Sequence, residues 1–287
     1  VPALVCITSI FDNNKDDECV VTVLTEGLSE RSVEKFRRLA EAYGQTVDIR
    51  AIDSSCFEAM VTRGRYPVSM YFRFLLPEIL VKEDKVLYLD CDIMVRHSMR
   101  SLFDEDLTDK ACGVVVDQQC DDTQILNRLR IESDYFNSGV MLFNLDEWRT
   151  NEYAKKIISF IEQNPDKCIF PDQDALNVVL EGKVKYLDLK YNMQEMWLTM
   201  LDYARFHYTR HVGLQRAVAD PSIVHFCVGD KPWYSECRNP YRGEYLKYAS
   251  RHDFIGFRER PHYSKGYFWL EAQIMRLKRW QSKCVKK

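Results

Sequence analysis

The sequence lacks any uninterrupted apolar run long enough to cross a bilayer, because Arg73 interrupts its most apolar region, VSMYFRFLLPEIL. It also lacks an excess of positive charge, since the formal net charge is -3 at pH 7. General nucleic-acid binders usually present a basic face. These two absences argue against a membrane-spanning chain and against a nucleic-acid partner.

The cysteines show neither a disulfide pattern nor a zinc-binding pattern. There are ten of them, with no C-x-x-C pair, and several lie inside apolar, strand-like runs. Cysteines placed in this way fit free, buried thiols in a reducing cytoplasm better than disulfides or zinc ligands. We therefore expect a cytoplasmic protein without disulfides.

The sequence does contain enough apolar material for a large core. Its 287 residues are 46% hydrophobic and 13% aromatic, which suits one large α/β domain or two small ones. Two strand-like runs, residues 19–25 and 46–52, flank an amphipathic helix that begins at Ser29 and stops near Gly44. This β-α-β order predicts a parallel pair of strands with a crossover helix, and therefore an α/β fold.

The run KVLYLDCDIMV, residues 85–95, carries two carboxylates one residue apart. Its β-branched, aliphatic and aromatic residues predict a buried strand. Side chains alternate along an extended chain, so Asp90 and Asp92 would face one point and Cys91 the opposite side. Beyond the carboxyl end of a core strand, such a pair suits a divalent cation that also binds phosphate. Asp residues at strand ends also serve as turn and cap residues, and the tripeptide alone favours that simpler interpretation.

Two further segments place polar groups among apolar ones. Residues 66–80 are predicted to be helical, and Arg73 is the cation within them. Its guanidinium either extends to solvent or points into a cleft, where it would bind a carboxylate, phosphate or sugar hydroxyl. Strands are predicted over residues 111–117 and 135–145, and the second starts with Asn-Ser-Gly. That tripeptide either forms a simple turn or lets the backbone approach a ligand closely.

Two helices are predicted in the next part of the chain. Residues 145–165 read as one amphipathic helix, and PDQDALNVVLEG opens another with Asp172, Gln173 and Asp174 in its first turn. Acidic residues in a first turn usually serve capping and the helix dipole. The pattern therefore does not by itself assign these residues to a functional site.

The segment SIVHFCVGDKPW, residues 222–233, predicts a buried strand that carries His225. A single His in an apolar strand is more often a core residue than a ligand. Gly229 and Lys231 follow it, and a glycine-containing turn followed by a lysine is suited to binding a diphosphate. Both interpretations stay open at this point.

The two ends of the sequence lead to separate expectations. VPALVCITSIFDNN has apolar residues at helical spacing. A helix without a preceding strand is unusual in an α/β protein, so we expect that a first strand is missing from the sequence. Residues 271–287 carry six Lys or Arg and one Glu around an apolar stripe. Such a segment either associates with an anionic membrane surface or packs on the domain as a solvated helix.

Five segments, taken in order, resemble glycosyltransferase family 8, whose members are retaining enzymes with the GT-A fold. The segments are VSMYFRFLLPEIL, KVLYLDCDIMV, YFNSGVMLFNLDEWR, FPDQDALN and HFCVGDKPW. The family includes bacterial lipopolysaccharide galactosyl- and glucosyltransferases and glycogenin. The resemblance implies a mostly parallel central sheet flanked by helices, with a catalytic domain over residues 1–250 and a basic helical tail over residues 251–287.

The resemblance also implies a UDP-hexose donor bound through Mn²⁺ or Mg²⁺. Asp90, Asp92 and His225 match the metal ligands of the family, and a His beside two carboxylates suits Mn²⁺ better than Ca²⁺. The positions that match its donor-binding residues are Arg73, Asn137, Ser138, Asp172, Gln173, Gly229 and Lys231. Among these, the Lys would bring positive charge to the phosphates.

Gln173 and Asp174 match the positions nearest the donor sugar and are the predicted catalytic residues. Because a Gln amide is a poor nucleophile, we favour front-face attack, in which the departing phosphate takes the proton of the acceptor. A covalent intermediate on Asp174 is the alternative. One departure from the family concerns the segment after the His, which usually reads H-x-x-G-x-x-K-P-W. Here Val228 holds the glycine position and Gly229 follows it.

The leading hypothesis is transfer of glucose or galactose to an oligosaccharide or glycolipid acceptor. This acceptor would be lipopolysaccharide core or another envelope saccharide, at the inner face of the cytoplasmic membrane. A glycogenin-like self-glucosylating enzyme is a second hypothesis. A non-catalytic protein that binds nucleotide sugars is a third.

Overall fold

The computed structural model describes residues 1–58, 60, 62, 66–199, 213–227, 229 and 231–261. The α-helices are α1 (Pro2–Asn13), α2 (Glu30–Tyr43), α3 (Leu76–Ile79), α4 (Arg100–Phe103), α5 (Thr123–Leu129), α6 (Leu145–Thr150), α7 (Tyr153–Gln163), α8 (Pro171–Val179), α9 (Glu195–Thr199), α10 (Leu214–Ala219) and α11 (Arg242–Ala249). Short 3-10 helices span Ser54–Phe57, Val68–Leu75, Leu189–Tyr191 and Asp253–Ile255. The strands are β1 (Val20–Thr25), β2 (Thr46–Ala51), β3 (Lys85–Leu89), β4 (Ile93–Val95), β5 (Cys112–Val116), β6 (Phe136–Asn144), β7 (Val184–Tyr186), β8 (Met193–Gln194) and β9 (Ile223–His225).

The predicted β-α-β unit is confirmed. Strands β1 and β2 run parallel, and α2 connects them. The side chain of Ser29 accepts a hydrogen bond from the backbone N–H of Ser32 and so caps α2 at its start. Gly44 ends the helix with φ of 62°, in the left-handed region that a residue without Cβ adopts at little cost.

The α/β fold is confirmed, but the central sheet is mixed rather than mostly parallel. Its strand order is β3-β6-β5-β7. The long strand β6 runs antiparallel to both β3 and β5, whereas β5 and β7 are parallel. A separate three-stranded sheet has the order β4-β9-β8, with β9 antiparallel to β4 and parallel to β8. The direction of β6 depends on the path of the loop before it, which hydrophobic pattern does not reveal.

The helix predicted over residues 66–80 is present over residues 68–79, mostly as a 3-10 helix that α3 then continues. The single helix predicted over residues 145–165 is instead two helices, α6 and α7. Between them Glu152 adopts φ of 50°, which breaks the helical path. The side chain of Asn151 donates to the carbonyl oxygen of Glu147 at 3.0 Å, a local bond that competes with helix continuation.

Helix α1, predicted from its apolar spacing, packs on β4 and within the core that includes β9. Ser9 Oγ accepts a hydrogen bond from the backbone N–H of Val95 at 2.9 Å, which fixes the helix against that strand. A second core lies around β6, α7 and α8. Ile255 is buried in the first core, so packing continues past residue 250. The predicted tail beyond residue 261 lies outside the described residues.

The structure describes nine of the ten cysteines, and none of these nine forms a disulfide. In the part of the chain that the structure describes, no helix is both long and apolar enough to cross a membrane.

Candidate functional site

The two carboxylates of the Asp-x-Asp segment lie where the chain leaves one sheet and enters another. Asp90 follows β3, and its backbone N–H donates to the carbonyl oxygen of Gly139 in β6 at 2.8 Å. Asp92 precedes β4, and its carbonyl oxygen accepts the backbone N–H of Phe226, just past β9, at 3.0 Å. A turn at Cys91 separates them. The carboxylates therefore converge through a turn between two sheets, rather than through alternation along one extended strand.

His225, the last residue of β9, brings its imidazole to the same point. Its Nε2 lies 3.3 Å from Asp92 Oδ1 and 3.8 Å from Asp90 Oδ2. One ligand atom from each of the three side chains lies within 4.8 Å of the other two. Two carboxylates and an imidazole at this separation form a donor set that fits a divalent cation such as Mn²⁺. We call Asp90, Asp92 and His225 the metal trio.

Gly139 makes room for the metal trio. A Cβ at this position would lie 2.2 Å from His225 Cε1 and 2.9 Å from Asp90 Oδ2. Neither neighbour is free to move, since His225 is 2% exposed and the backbone of Asp90 is tied to Gly139 itself. The sequence predicted that this glycine either forms a simple turn or lets a ligand approach the backbone closely. In the structure it allows the imidazole to approach β6.

Lys231 supplies a positive charge beside the trio. Its Nζ lies 2.6 Å from Asp92 Oδ2 and also donates to the carbonyl oxygen of Phe226 at 2.6 Å. Burial opposes ionisation of Asp92, but His225 and Lys231 outweigh that effect and hold the pKa of Asp92 below its ordinary value. Asp92 is therefore a carboxylate ready to accept a cation.

Arg73 does not extend to solvent, because its side chain is 3% exposed. Its Nη2 lies 3.1 Å from Asp90 Oδ1 and 3.3 Å from Asp172 Oδ2, and its Nη1 donates to the carbonyl oxygen of Ser138. The guanidinium carbon lies 4.2 Å from the centre of the Tyr88 ring, a cation–π contact. Arg73 thus joins the metal trio to the start of α8.

The first turn of α8 faces the same region. Gln173 Oε1 accepts the backbone N–H of Ser138 at 3.0 Å, and Gln173 Nε2 donates to Asp117 Oδ2 at 3.2 Å. The hydroxyl of Ser138 donates to Asp172 Oδ2 at 3.2 Å. Burial raises the pKa of Asp172, and the nearby charge of Arg73 opposes that shift. Asp172, Gln173 and Ser138 therefore lie in one hydrogen-bonded group.

Asp174 points away from this group, although it follows Gln173 directly. It is fully buried, and its carboxylate is held by Arg128 Nη1 at 2.8 Å and by the hydroxyl of Tyr135 at 2.6 Å. The backbone N–H of Phe170 also donates to it, at 2.9 Å. This is the arrangement of an internal ion pair and helix cap, the simpler role that acidic residues in a first turn usually have.

Sequence reasoning did not select Asp117 or Asn192, which link these groups. Asp117 Oδ2 accepts from both Gln173 Nε2 and Asn137 Nδ2, and burial raises the pKa of its carboxyl. Asp117 follows strand β5 as Asp90 follows β3, so the same strand-end signal was available for it. Asn192 is fully buried, and nothing in its local sequence marks it.

Two further predicted site residues, Asn137 and Gly229, lie in different surroundings, one buried and one exposed. Asn137 is buried between Asp117 and Asn192, where it contacts both. Gly229 is exposed, and its carbonyl oxygen accepts the backbone N–H of Lys231 at 3.0 Å. Gly229 thus shapes the turn that carries the lysine.

Solved glycosyltransferases with the GT-A fold share the fold of this chain, which places it in that structural class. A model of glycosyl transferase family 8 matches residues 1–237. The chain therefore belongs to glycosyltransferase family 8.

Named relatives and solved structures agree with this membership. Lipopolysaccharide 1,2-glucosyltransferase of Escherichia coli is 30% identical over 241 residues, which cover 82% of this chain and 70% of the relative. General stress protein A of Bacillus subtilis (strain 168) is 26% identical over 255 residues, 85% of this chain and 86% of that protein. The crystal structure of galactosyltransferase LgtC in complex with donor and acceptor sugar analogues is 26% identical, with a TM-score of 0.76 over 87% of this chain and 91% of LgtC.

Proposed function

We propose that the protein is a retaining, metal-dependent hexosyltransferase that moves glucose or galactose from a UDP-sugar to a glycan acceptor. The observation that carries the proposal is the metal trio with Lys231 beside it, because a nucleoside diphosphate leaving group needs positive charge at that point. The relatives support the choice of substrate, since they include a lipopolysaccharide glucosyltransferase and a galactosyltransferase solved with donor and acceptor sugar analogues.

Asp90, Asp92 and His225 would hold Mn²⁺ or Mg²⁺. When bound, such a cation offsets the negative charge that develops on the diphosphate as the glycosidic bond breaks. Lys231, whose Nζ lies beside Asp92, would add a positive charge to the same phosphates.

The donor hexose would lie between the metal trio and the start of α8. Arg73 holds the carboxylate of Asp172, and that carboxylate is an acceptor suited to a sugar hydroxyl. The amide of Gln173 is held in place by the backbone N–H of Ser138 and by Asp117, which fixes it beside the proposed sugar site. Ser138, Asn137 and the turn at Gly229 complete the proposed donor site.

For retention we propose front-face attack, with Gln173 stabilising the sugar rather than attacking it. Its amide oxygen already accepts the N–H of Ser138, which reduces its availability as a nucleophile. A covalent intermediate on Asp174 is disfavoured, because that carboxylate is fully buried against Arg128 and Tyr135. A second LgtC structure, of an active-site variant with Gln replaced by Glu, fits a role for such a glutamine.

As acceptor we propose lipopolysaccharide core or another envelope oligosaccharide or glycolipid. The reaction would then take place in the cytoplasm, at the inner face of the membrane. The basic segment 271–287, which lies outside the described residues, has the composition that binds anionic lipid.

The test is a donor screen with purified protein, Mn²⁺ and UDP-glucose, UDP-galactose or UDP-N-acetylglucosamine, following release of UDP. We expect release from one hexose donor, lost with EDTA and in Asp92→Asn. The exposed Asp16→Asn is the matched control and keeps full activity. Release that persists in Asp92→Asn would contradict the proposal. Binding of UDP-sugar without any release would favour the non-catalytic binding protein, and a hexose attached to the protein's own Tyr would favour the self-glucosylating enzyme.

A further inference from the structure

A continuous chain of buried side-chain amides runs from β6 to the imidazole of His225. Asn137 Oδ1 accepts the backbone N–H of Gly139 at 3.0 Å and Asn192 Nδ2 at 2.9 Å. Asn192 Oδ1 then lies 3.0 Å from His225 Nδ1. Asn192 is fully buried and His225 is 2% exposed, so water does not compete for these bonds.

The orientation of both amides follows from groups whose hydrogen-bonding role is fixed. A backbone N–H only donates, so the atom of Asn137 that faces Gly139 must be its oxygen. The Asp117 carboxylate accepts the other end of Asn137 at 3.0 Å, which agrees with that orientation. Asn192 must then present its NH₂ to Asn137. Its oxygen is left to face His225.

A flipped Asn192 would place its oxygen against Asn137 Oδ1, two acceptors in contact. Flipping Asn137 as well would set its NH₂ against the N–H of Gly139 and its oxygen against the Asp117 carboxylate. Each of these pairings is unfavourable in a buried site. The network therefore has one satisfied arrangement, and in it His225 Nδ1 has to donate.

We propose that Asn192 is a positioning residue that holds His225 in the form protonated at Nδ1, with the Nε2 lone pair directed at Asp90 and Asp92. The inference depends on the metal trio but not on the identity of the donor sugar. An imidazole that binds a cation through one nitrogen usually donates from the other, and this second bond sets both its orientation and its tautomer. Here the backbone N–H of Gly139 fixes the orientation of Asn137, which fixes that of Asn192, which in turn accepts from His225 Nδ1.

The first test is the nitrogen NMR spectrum of metal-free protein with labelled histidines, recorded in alkaline buffer. The signals of His225 are assigned by their loss in His225→Gln. We expect the pattern of a ring protonated at Nδ1 in the wild type. A wild-type ring protonated at Nε2 would overturn the inference, and this measurement needs no variant of Asn192.

The second test compares Asn192→Leu with Asn192→Asp. Asn192→Leu removes the acceptor, so we expect loss of the Nδ1-protonated pattern and a fall in Mn²⁺ affinity of about 10–100-fold, measured by titration calorimetry. Asn192→Asp keeps an acceptor at His225 and is expected to retain Nδ1 protonation, although its second oxygen then faces Asn137 Oδ1 and should lower the melting temperature. Asn14→Leu is the control, because Asn14 is a buried amide just after α1 that bonds only backbone groups of Ile10 and Met99 and no residue of the metal trio.

The Asn14→Leu control separates loss of the orientation of His225 from a general loss of stability. Asn14→Leu should lower the melting temperature yet leave the imidazole spectrum and Mn²⁺ affinity unchanged. Wild-type spectrum and affinity in Asn192→Leu would overturn the inference. If the donor screen fails while these spectra behave as expected, the hexosyltransferase proposal is wrong and the role of Asn192 stands.

Discussion

At the scale of single residues, Gly139 is the position where the smallest change should have the largest effect on the site. Gly139→Ala places a methyl group 2.2 Å from His225 Cε1, so the imidazole has to move. We expect Mn²⁺ affinity to fall by about 100-fold, comparable to losing an outer contact of a metal ligand. Titration calorimetry measures it.

Gly113→Ala is the matched control, a glycine in the neighbouring strand β5. Its added Cβ would meet only the side-chain carbons of Leu187, the closest at 3.0 Å. This variant should bind Mn²⁺ as the wild type does. Equal affinities for both variants and the wild type would show that Gly139 does not limit the position of His225.

The ion pair between Arg128 and Asp174 leads to a second prediction, on stability. Arg128→Met leaves the fully buried Asp174 without its cation. We expect a loss of about 3 kcal/mol in the free energy of unfolding, the low end for a broken buried pair because Arg128 is itself 20% exposed. Urea unfolding measures it. Arg37→Met breaks the exposed pairs of Arg37 with Glu34 and Glu41, and it should leave the free energy of unfolding almost unchanged because solvent screens exposed pairs.

Individual site residues show how much of the site could be predicted from the sequence. Asp90, Asp92 and His225 were selected together only through the family resemblance, and the structure brings them to one point. Gln173 and Asp174 were selected together too, but the helix turns adjacent side chains by about 100° relative to each other. One therefore faces the site and the other the interior. Asn192 could not be found, because its role depends on contacts 33 and 55 residues away in sequence.

At the scale of elements, the helix α2 ends in a way that can be tested directly. Gly44 has φ of 62°, where a Cβ costs roughly 1–2 kcal/mol. Gly44→Ala should therefore lower the free energy of unfolding by about 1 kcal/mol. Gly243→Ala is the control, since Gly243 lies in α11 with ordinary φ and no atom within 4 Å of an added Cβ. Thermal unfolding of the two variants should differ, and equal melting temperatures would contradict the strain argument.

Elements with strong local signals were predicted well. The unit β1-α2-β2 has a Ser cap, an amphipathic face and a Gly stop, and each was read correctly from sequence. The break between α6 and α7 was missed because Asn and Glu are compatible with a helix. Helix α6 ends because of the local bond from Asn151 to Glu147 and the positive φ of Glu152. The antiparallel direction of β6 was missed because both directions share one hydrophobic pattern.

At the scale of the whole molecule, a bound cation should stabilise the fold. The metal trio takes ligands from two sheets, so binding requires both to be in place. At a free Mn²⁺ concentration one hundred times its Kd, the free energy of unfolding should rise by about 2.7 kcal/mol. Thermal unfolding with and without Mn²⁺ measures the gain. Asp92→Asn should lose it and Asp16→Asn should keep it, whereas an equal gain in all three would place the cation elsewhere.

The junction between β3 and β4 has a mechanical consequence. Asp90 is fixed to the four-stranded sheet through Gly139, and Asp92 to the three-stranded sheet through Phe226. The distance between their carboxylates therefore depends on the relative position of the two sheets. A slide of about 1 Å, too small to break either sheet, already spoils a ligand geometry. Cation affinity should therefore fall when a solvent or a substitution shifts one sheet relative to the other, even while the secondary structure stays intact.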